Sequence, residues 1–178
     1  VETLNRNYLN RPNAQVFVQS FESANLRELD ESLRVPIVQL LSATGAPYDF
    51  VAAGDPRTYA DLITASGLGD VATYADGIGP EKGMVIPRTP DGALGAASSL
   101  LLDAHGAGLV VHPYTFRAEN TFLPTNLRHG ADPAGYGDLF GELEAFLDAG
   151  VDGFFTDNPD IGRAAVSGDL SVVGGLAA

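Results

Sequence analysis

Five short runs rich in β-branched and aromatic residues alternate with helical segments along this chain. That alternation constrains the fold more than any other feature. The runs are Val16–Phe21 (VFVQSF), Val35–Leu41 (VPIVQLL), Asp76–Gly79 (DGIG), Leu109–Val111 (LVV) and Val151–Thr156 (VDGFFT). Each is short enough for a buried strand and is bounded by turn residues. Pro36 is tolerated because it lies at the start of its run. Between the runs, Ser23 can cap a helix carrying Leu26, Leu29 and Leu33. Thr58–Ala65, Gly69–Tyr74 and Gly95–His105 read as further helical pieces, with Gly106 as a stop. The clearest helix spans Tyr136–Ala149, where Leu139, Phe140, Leu143, Phe146 and Leu147 form one apolar stripe before Gly150. VETLNRNYLNR at the start reads as the middle of a helix. Strand and helix in alternation specify βαβ units and a parallel sheet. The longest loops follow strands, and loops at strand C-termini build the ligand sites of α/β folds. The functional face is therefore expected at Gln19–Phe21, Gly79–Lys82, His112–Arg117 and Thr156–Asp160.

Charge narrows the partners. Across 178 residues, 10 Lys and Arg oppose 23 Asp and Glu, a net charge of -13. Such a surface repels phosphate backbones and anionic lipid heads, so neither nucleic acid nor a membrane surface is expected as partner. No apolar run approaches the roughly 18–20 residues that span a bilayer. The chain has no cysteine, which excludes a disulfide scaffold, a thiolate metal site and a cysteine nucleophile. It does not begin with methionine, which is read as processing or as a start within a longer protein.

The common catalytic motifs are missing: there is no P-loop, no G-x-G-x-x-G after a strand and no G-x-S-x-G. Of the three histidines, His105 sits near a helix C-terminus, where a cation is mildly favoured, and His129 lies in a loop. Only His112 stands at a strand end. Asp76 can cap a strand, and Asp157, Asn158 and Asp160 around Pro159 have turn composition. Glu81 and Lys82 read as solvated loop charges. Tyr114 and Phe116 fit either the core or a pocket wall. Arg117 is suited to an anion, because a guanidinium grips phosphate with two donors, although a plain surface arginine fits the position equally.

Four segments occur in order: VFVQSFESANL, YADGIGPEKGMVIP, GLVVHPYTFRAEN and GVDGFFTDNPD. Together they resemble the C-terminal half of bacterial glycerophosphodiester phosphodiesterases, particularly the periplasmic type that releases glycerol 3-phosphate. The resemblance runs from about residue 1 to about residue 165. It implies α/β architecture: about five βα units, β4–β8, of a TIM-type (β/α)₈ barrel. A partial barrel domain would cover 1–165 and a tail 166–178. It also implies hydrolysis of a glycerophosphodiester, a small-molecule partner, to sn-glycerol 3-phosphate and an alcohol. That chemistry is expected to use calcium or magnesium held by carboxylates, with a histidine pair for acid–base work. The family's H-R-G and E-x-D motifs are absent from this sequence, so the catalytic residues and metal ligands are expected outside the chain, leaving it inactive alone. On the resemblance, Gln19, Phe21, Tyr114 and Arg117 face substrate. His112 and Asp157 are structural neighbours, Asp157 ordering its loop by accepting backbone N–H bonds. Periplasmic or secreted location is implied in the same way, and oligomeric state is left open. The alternatives are a complete, non-catalytic α/β module binding a polyol phosphate, and one half of a split enzyme.

Overall fold

Why four of the five runs become strands is visible in their pairing. The computed structural model describes residues 1–168. In chain order its elements are α1 (Glu2–Arg6), β1 (Val18–Ser20), α2 (Ser23–Asp30), β2 (Ile37–Leu41), α3 (Tyr48–Ala53), α4 (Tyr59–Leu62), α5 (Ala65–Val71), β3 (Gly77–Pro80), α6 (Lys82–Val85), α7 (Leu100–Gly106), β4 (Val110–Val111), a 3₁₀ turn (Thr125–Leu127), α8 (Leu139–Ala149) and α9 (Pro159–Ser167). The expected tail from residue 166 falls outside the described residues, apart from the last two residues of α9 and Gly168. The four strands form one parallel sheet in the order β1-β2-β3-β4. Val18 pairs with Ile37, Val38 with Gly77, and Gly77 with Val110.

The central strands are buried, as an inner parallel strand must be when helices cover the sheet. Ile37, Val38 and Leu41 of β2 and Ile78 of β3 are almost wholly removed from water. Each contributes roughly 1.5–3 kcal/mol of burial free energy. Gly77 is required by close approach: a Cβ there would lie 2.6 Å from Val110 Cγ2 and 2.8 Å from its carbonyl oxygen.

The fifth expected strand does not form. Val151–Thr156 makes only one isolated parallel bridge, Phe116 to Thr156. Its ladder consists of Phe155 N–H to Pro113 C=O at 3.0 Å, Phe116 N–H to Phe155 C=O at 2.9 Å and Asp157 N–H to Phe116 C=O at 3.0 Å. Pro113 has a carbonyl but no N–H, so the ladder cannot extend backwards, and Asp152-Gly153 has poor strand propensity. Helix bounds also shift. A short helix, α3, follows β2 and is closed by Gly54 in the left-handed conformation at φ 70°. In α4, Asp61 Oδ2 accepts from the Thr58 N–H at 2.7 Å and its hydroxyl at 2.8 Å. The Gly95–His105 helix begins only at Leu100.

The described chain gathers into two compact units. One comprises Val1–Glu81 and Ser99–His112; the other comprises Lys82–Ser98 and the chain from Pro113 onward. The first holds the sheet, with Leu26 of α2, Leu68 and Val71 of α5 and Ala104 of α7 fully buried. The second is organised by α8, whose Leu139, Leu143 and Phe146 are buried with Leu123. Phe116 meets Phe146 edge to face at 4.8 Å and Phe154 at 5.7 Å.

Candidate functional site

In the sheet-bearing unit, Gln19 lies exposed at the centre of β1. Phe21, just past β1, is 39% exposed and stands edge-on to Tyr59 with centroids 6.2 Å apart. Its backbone is held by a residue that sequence patterning does not single out. Gln39 of β2 is fully buried, and its amide nitrogen donates to the carbonyls of Phe21 and Leu40, each at 3.0 Å. Its side-chain oxygen accepts from Ser23 Oγ at 2.9 Å and from the Tyr74 hydroxyl at 2.8 Å. Burial raises the pKa of Tyr74, which keeps its hydroxyl protonated as a donor. The network is satisfied on both ends of the amide, which is what makes a buried glutamine tolerable. His112 donates its backbone N–H to Ile78 C=O at 2.9 Å, and its ring meets Phe17 edge to face at 4.9 Å.

The second unit holds the other candidates and a buried ion pair. Lys82, expected as a solvated loop charge, is instead only 15% exposed, because the chain enters α6 at that residue. Its partner Glu142 is 1% exposed. The ammonium donates to both carboxylate oxygens, at 2.7 and 2.8 Å, and to Phe122 C=O at 3.3 Å. It lies 5.1 Å from the centre of the Phe116 ring. Burial lowers the pKa of Lys82 and raises that of Glu142, and in each case the partner's charge opposes the shift. Desolvation therefore outweighs attraction here, as is common for buried pairs. Tyr114 is half-buried, and its carbonyl accepts the Lys82 backbone N–H at 2.8 Å. The Tyr114–Thr115 peptide is cis.

Arg117 Nε donates to Asp157 Oδ2 at 2.5 Å, and its guanidinium lies 4.7 Å above the Phe122 ring. Among the described residues its two terminal nitrogens meet no acceptor, so donors remain for an anion. Among the described residues the Asp157 carboxylate accepts from Arg117 Nε and from no backbone N–H, unlike the loop-ordering role expected for it. Its carboxylate is drawn to the Arg117 charge, and the neighbouring Asn158 Oδ1 accepts the Ala118 N–H at 3.0 Å. Within this unit Lys82, Tyr114, Phe116, Arg117, Phe122, Glu142 and Asp157 are thus linked. Phe122 and Glu142 are not singled out by sequence reasoning, and of these two only Glu142 carries a readable signal: it stands three residues after Leu139 and four before Phe146, a charge in the register of an apolar stripe.

The expected divalent cation finds no fit in these residues. Among the described residues no group of three or more His, Asp or Glu could hold a metal ion. Among the described residues, too, no helix is long and apolar enough to cross a membrane.

Comparison with known proteins decides the family. The sequence profile of the glycerophosphoryl diester phosphodiesterase family matches residues 3–161. The chain belongs to that family. It is 31% identical over 155 residues to the glycerophosphodiester phosphodiesterase GDPD6 of Arabidopsis thaliana, covering 86% of this chain and 37% of the relative. A crystal structure from Silicibacter pomeroyi, assigned as a glycerophosphoryl diester phosphodiesterase, superposes with a TM-score of 0.57 at 20% identity. That match covers 93% of this chain and 42% of the other. The likeness gives the fold as α/β of the TIM-barrel type. This family member spans well under half the length of these two relatives.

Proposed function

We propose that this chain supplies the substrate-facing part of a glycerophosphodiester phosphodiesterase, its strands corresponding to the later ones of an eight-stranded barrel. The reaction adds water across the P–O bond to the alcohol, giving sn-glycerol 3-phosphate and the free alcohol, which leaves with a proton. Family membership sets the reaction class. The observation that ties it to residues of this chain is the Arg117 guanidinium, fixed by Asp157 at 2.5 Å with its terminal nitrogens directed to no acceptor among the described residues. Such a group binds the diester anion and orients it. Phe21, Gln19 and Tyr114 are proposed as contacts for the glycerol and alcohol portions, and His112 as a structural neighbour. The acid–base histidines and the carboxylates for calcium or magnesium are proposed to lie outside these 178 residues. A periplasmic or secreted setting is proposed from the resemblance to the exported type.

The test is phosphorus NMR of glycerophosphocholine incubated with the purified chain and either calcium or magnesium. No release of sn-glycerol 3-phosphate is expected, while the same chain binds that product in calorimetry. Turnover above a protein-free blank would overturn the assignment of the catalytic groups to residues outside the chain. Absence of binding would overturn the substrate-facing role.

A further inference from the structure

Lys82 touches one segment of chain at three points. Its backbone N–H donates to Tyr114 C=O at 2.8 Å, its ammonium to Phe122 C=O at 3.3 Å, and the same ammonium sits 5.1 Å from the Phe116 ring centre. Glu142 holds that ammonium with two short bonds, 2.7 and 2.8 Å. Arg88 adds a second donor to the Phe122 carbonyl. The Phe122 ring, in turn, carries the Arg117 guanidinium at 4.7 Å. A path of direct contacts thus runs from Glu142 through Lys82 and Phe122 to Arg117.

A buried lysine–glutamate pair is a poor source of stability, since two desolvated charges can often be replaced by apolar side chains at no net cost. The contacts that the pair makes with Phe122 point to another role. We infer that Lys82 and Glu142 are positioning residues: they fix Phe122 so that the Arg117 guanidinium is held ready for the anion of a phosphomonoester or phosphodiester. Neither touches the ligand. The inference rests on the proposed role of Arg117 and extends it to Lys82, which the sequence alone assigned to the solvent, and to Glu142.

The geometry makes a distinction that simple packing does not. Lys82→Met or Glu142→Leu alone strands a buried charge and lowers stability. Lys82→Met/Glu142→Leu together removes both charges and restores stability, but leaves Phe122 C=O without the ammonium. The experiment compares wild type, both single variants and the double variant of the 178-residue chain. Three quantities are read: the urea midpoint, the Nε–H signal of Arg117 in nitrogen–proton NMR, and calorimetric affinity for sn-glycerol 3-phosphate. The expected result is that the double variant regains the wild-type midpoint, yet its Arg117 Nε–H signal moves toward that of a free arginine and affinity falls about tenfold. A merely structural pair would show signal and affinity recovering with stability, which overturns the inference. The NMR signal decides even if wild type shows no affinity for sn-glycerol 3-phosphate, an outcome that counts only against the proposed function.

Discussion

The rings of Phe17 and His112 meet edge to face with centroids 4.9 Å apart, although they adjoin opposite edge strands of a four-stranded sheet. Three strand spacings would separate those edges by about 14 Å in a flat sheet. The contact therefore requires the sheet to curl, as strands do when they twist and tilt toward barrel closure. If the pair helps hold that curl, Phe17→Ala and His112→Ala will be non-additive. A double-mutant cycle in urea is expected to give a coupling of about 0.5–1.5 kcal/mol. Simple additivity would mean the rings only lie near one another.

Gln39 is a fully buried polar residue of the sheet-bearing unit. Gln39→Leu would leave the buried Ser23 and Tyr74 hydroxyls without the amide oxygen they meet at 2.9 and 2.8 Å. The expected loss is on the order of 3 kcal/mol of unfolding free energy, since each stranded buried group costs about 1–3 kcal/mol. Chemical denaturation checks this, and a loss below about 1 kcal/mol would show that water enters to replace the amide.

The pH dependence of stability carries the signature of Glu142. Its folded pKa is raised above 4.5, chiefly by burial, so its contribution is fully present below that value and is lost as pH rises through the folded pKa. Lys82 is shifted the other way, below 10.5, and its contribution is lost as pH falls from the alkaline side. Between those limits both groups carry the charge that burial disfavours. The stability of wild type relative to Lys82→Met/Glu142→Leu should therefore decrease from acid toward neutral pH and increase again toward the lysine range. A flat difference across that span would contradict both shifts.

Arg117 separates binding from stability. It and Asp157 are 38% and 57% exposed, so their ion pair is screened and contributes little to folding. Arg117→Ala is expected to leave the urea midpoint nearly unchanged and to weaken sn-glycerol 3-phosphate binding by about tenfold or more, as loss of a charged donor does. Unchanged affinity in calorimetry would remove Arg117 from the substrate-facing set.

Two glycines provide a paired check on packing. Gly77→Ala would place a methyl 2.6 Å from Val110 Cγ2 and should cost about 1–3 kcal/mol. Gly83→Ala, in α6 with no heavy atom within 4 Å of the new Cβ, should be neutral or stabilise by up to about 1 kcal/mol. Equal effects at the two positions would argue against the close β3–β4 approach.

Much of this fold is written locally. Hydrophobic period and turn residues act over a few neighbours, so VPIVQLL, DGIG and the Leu139–Leu147 stripe are legible as strands and helix from the residues alone. The order of elements then leaves little choice but a parallel sheet. The four ordered segments, from VFVQSFESANL to GVDGFFTDNPD, likewise point to the family that the profile match establishes. What the tertiary structure alone decided depends on residues far apart in sequence. Whether VDGFFT becomes a strand turns on the partner segment, where Pro113 ends the ladder. Gln39 reads as a polar interruption in an apolar strand until Ser23 and Tyr74 close around it. Lys82 and Glu142 stand 60 residues apart. No local rule links them, and only folding brings their charges together in a place largely shielded from water.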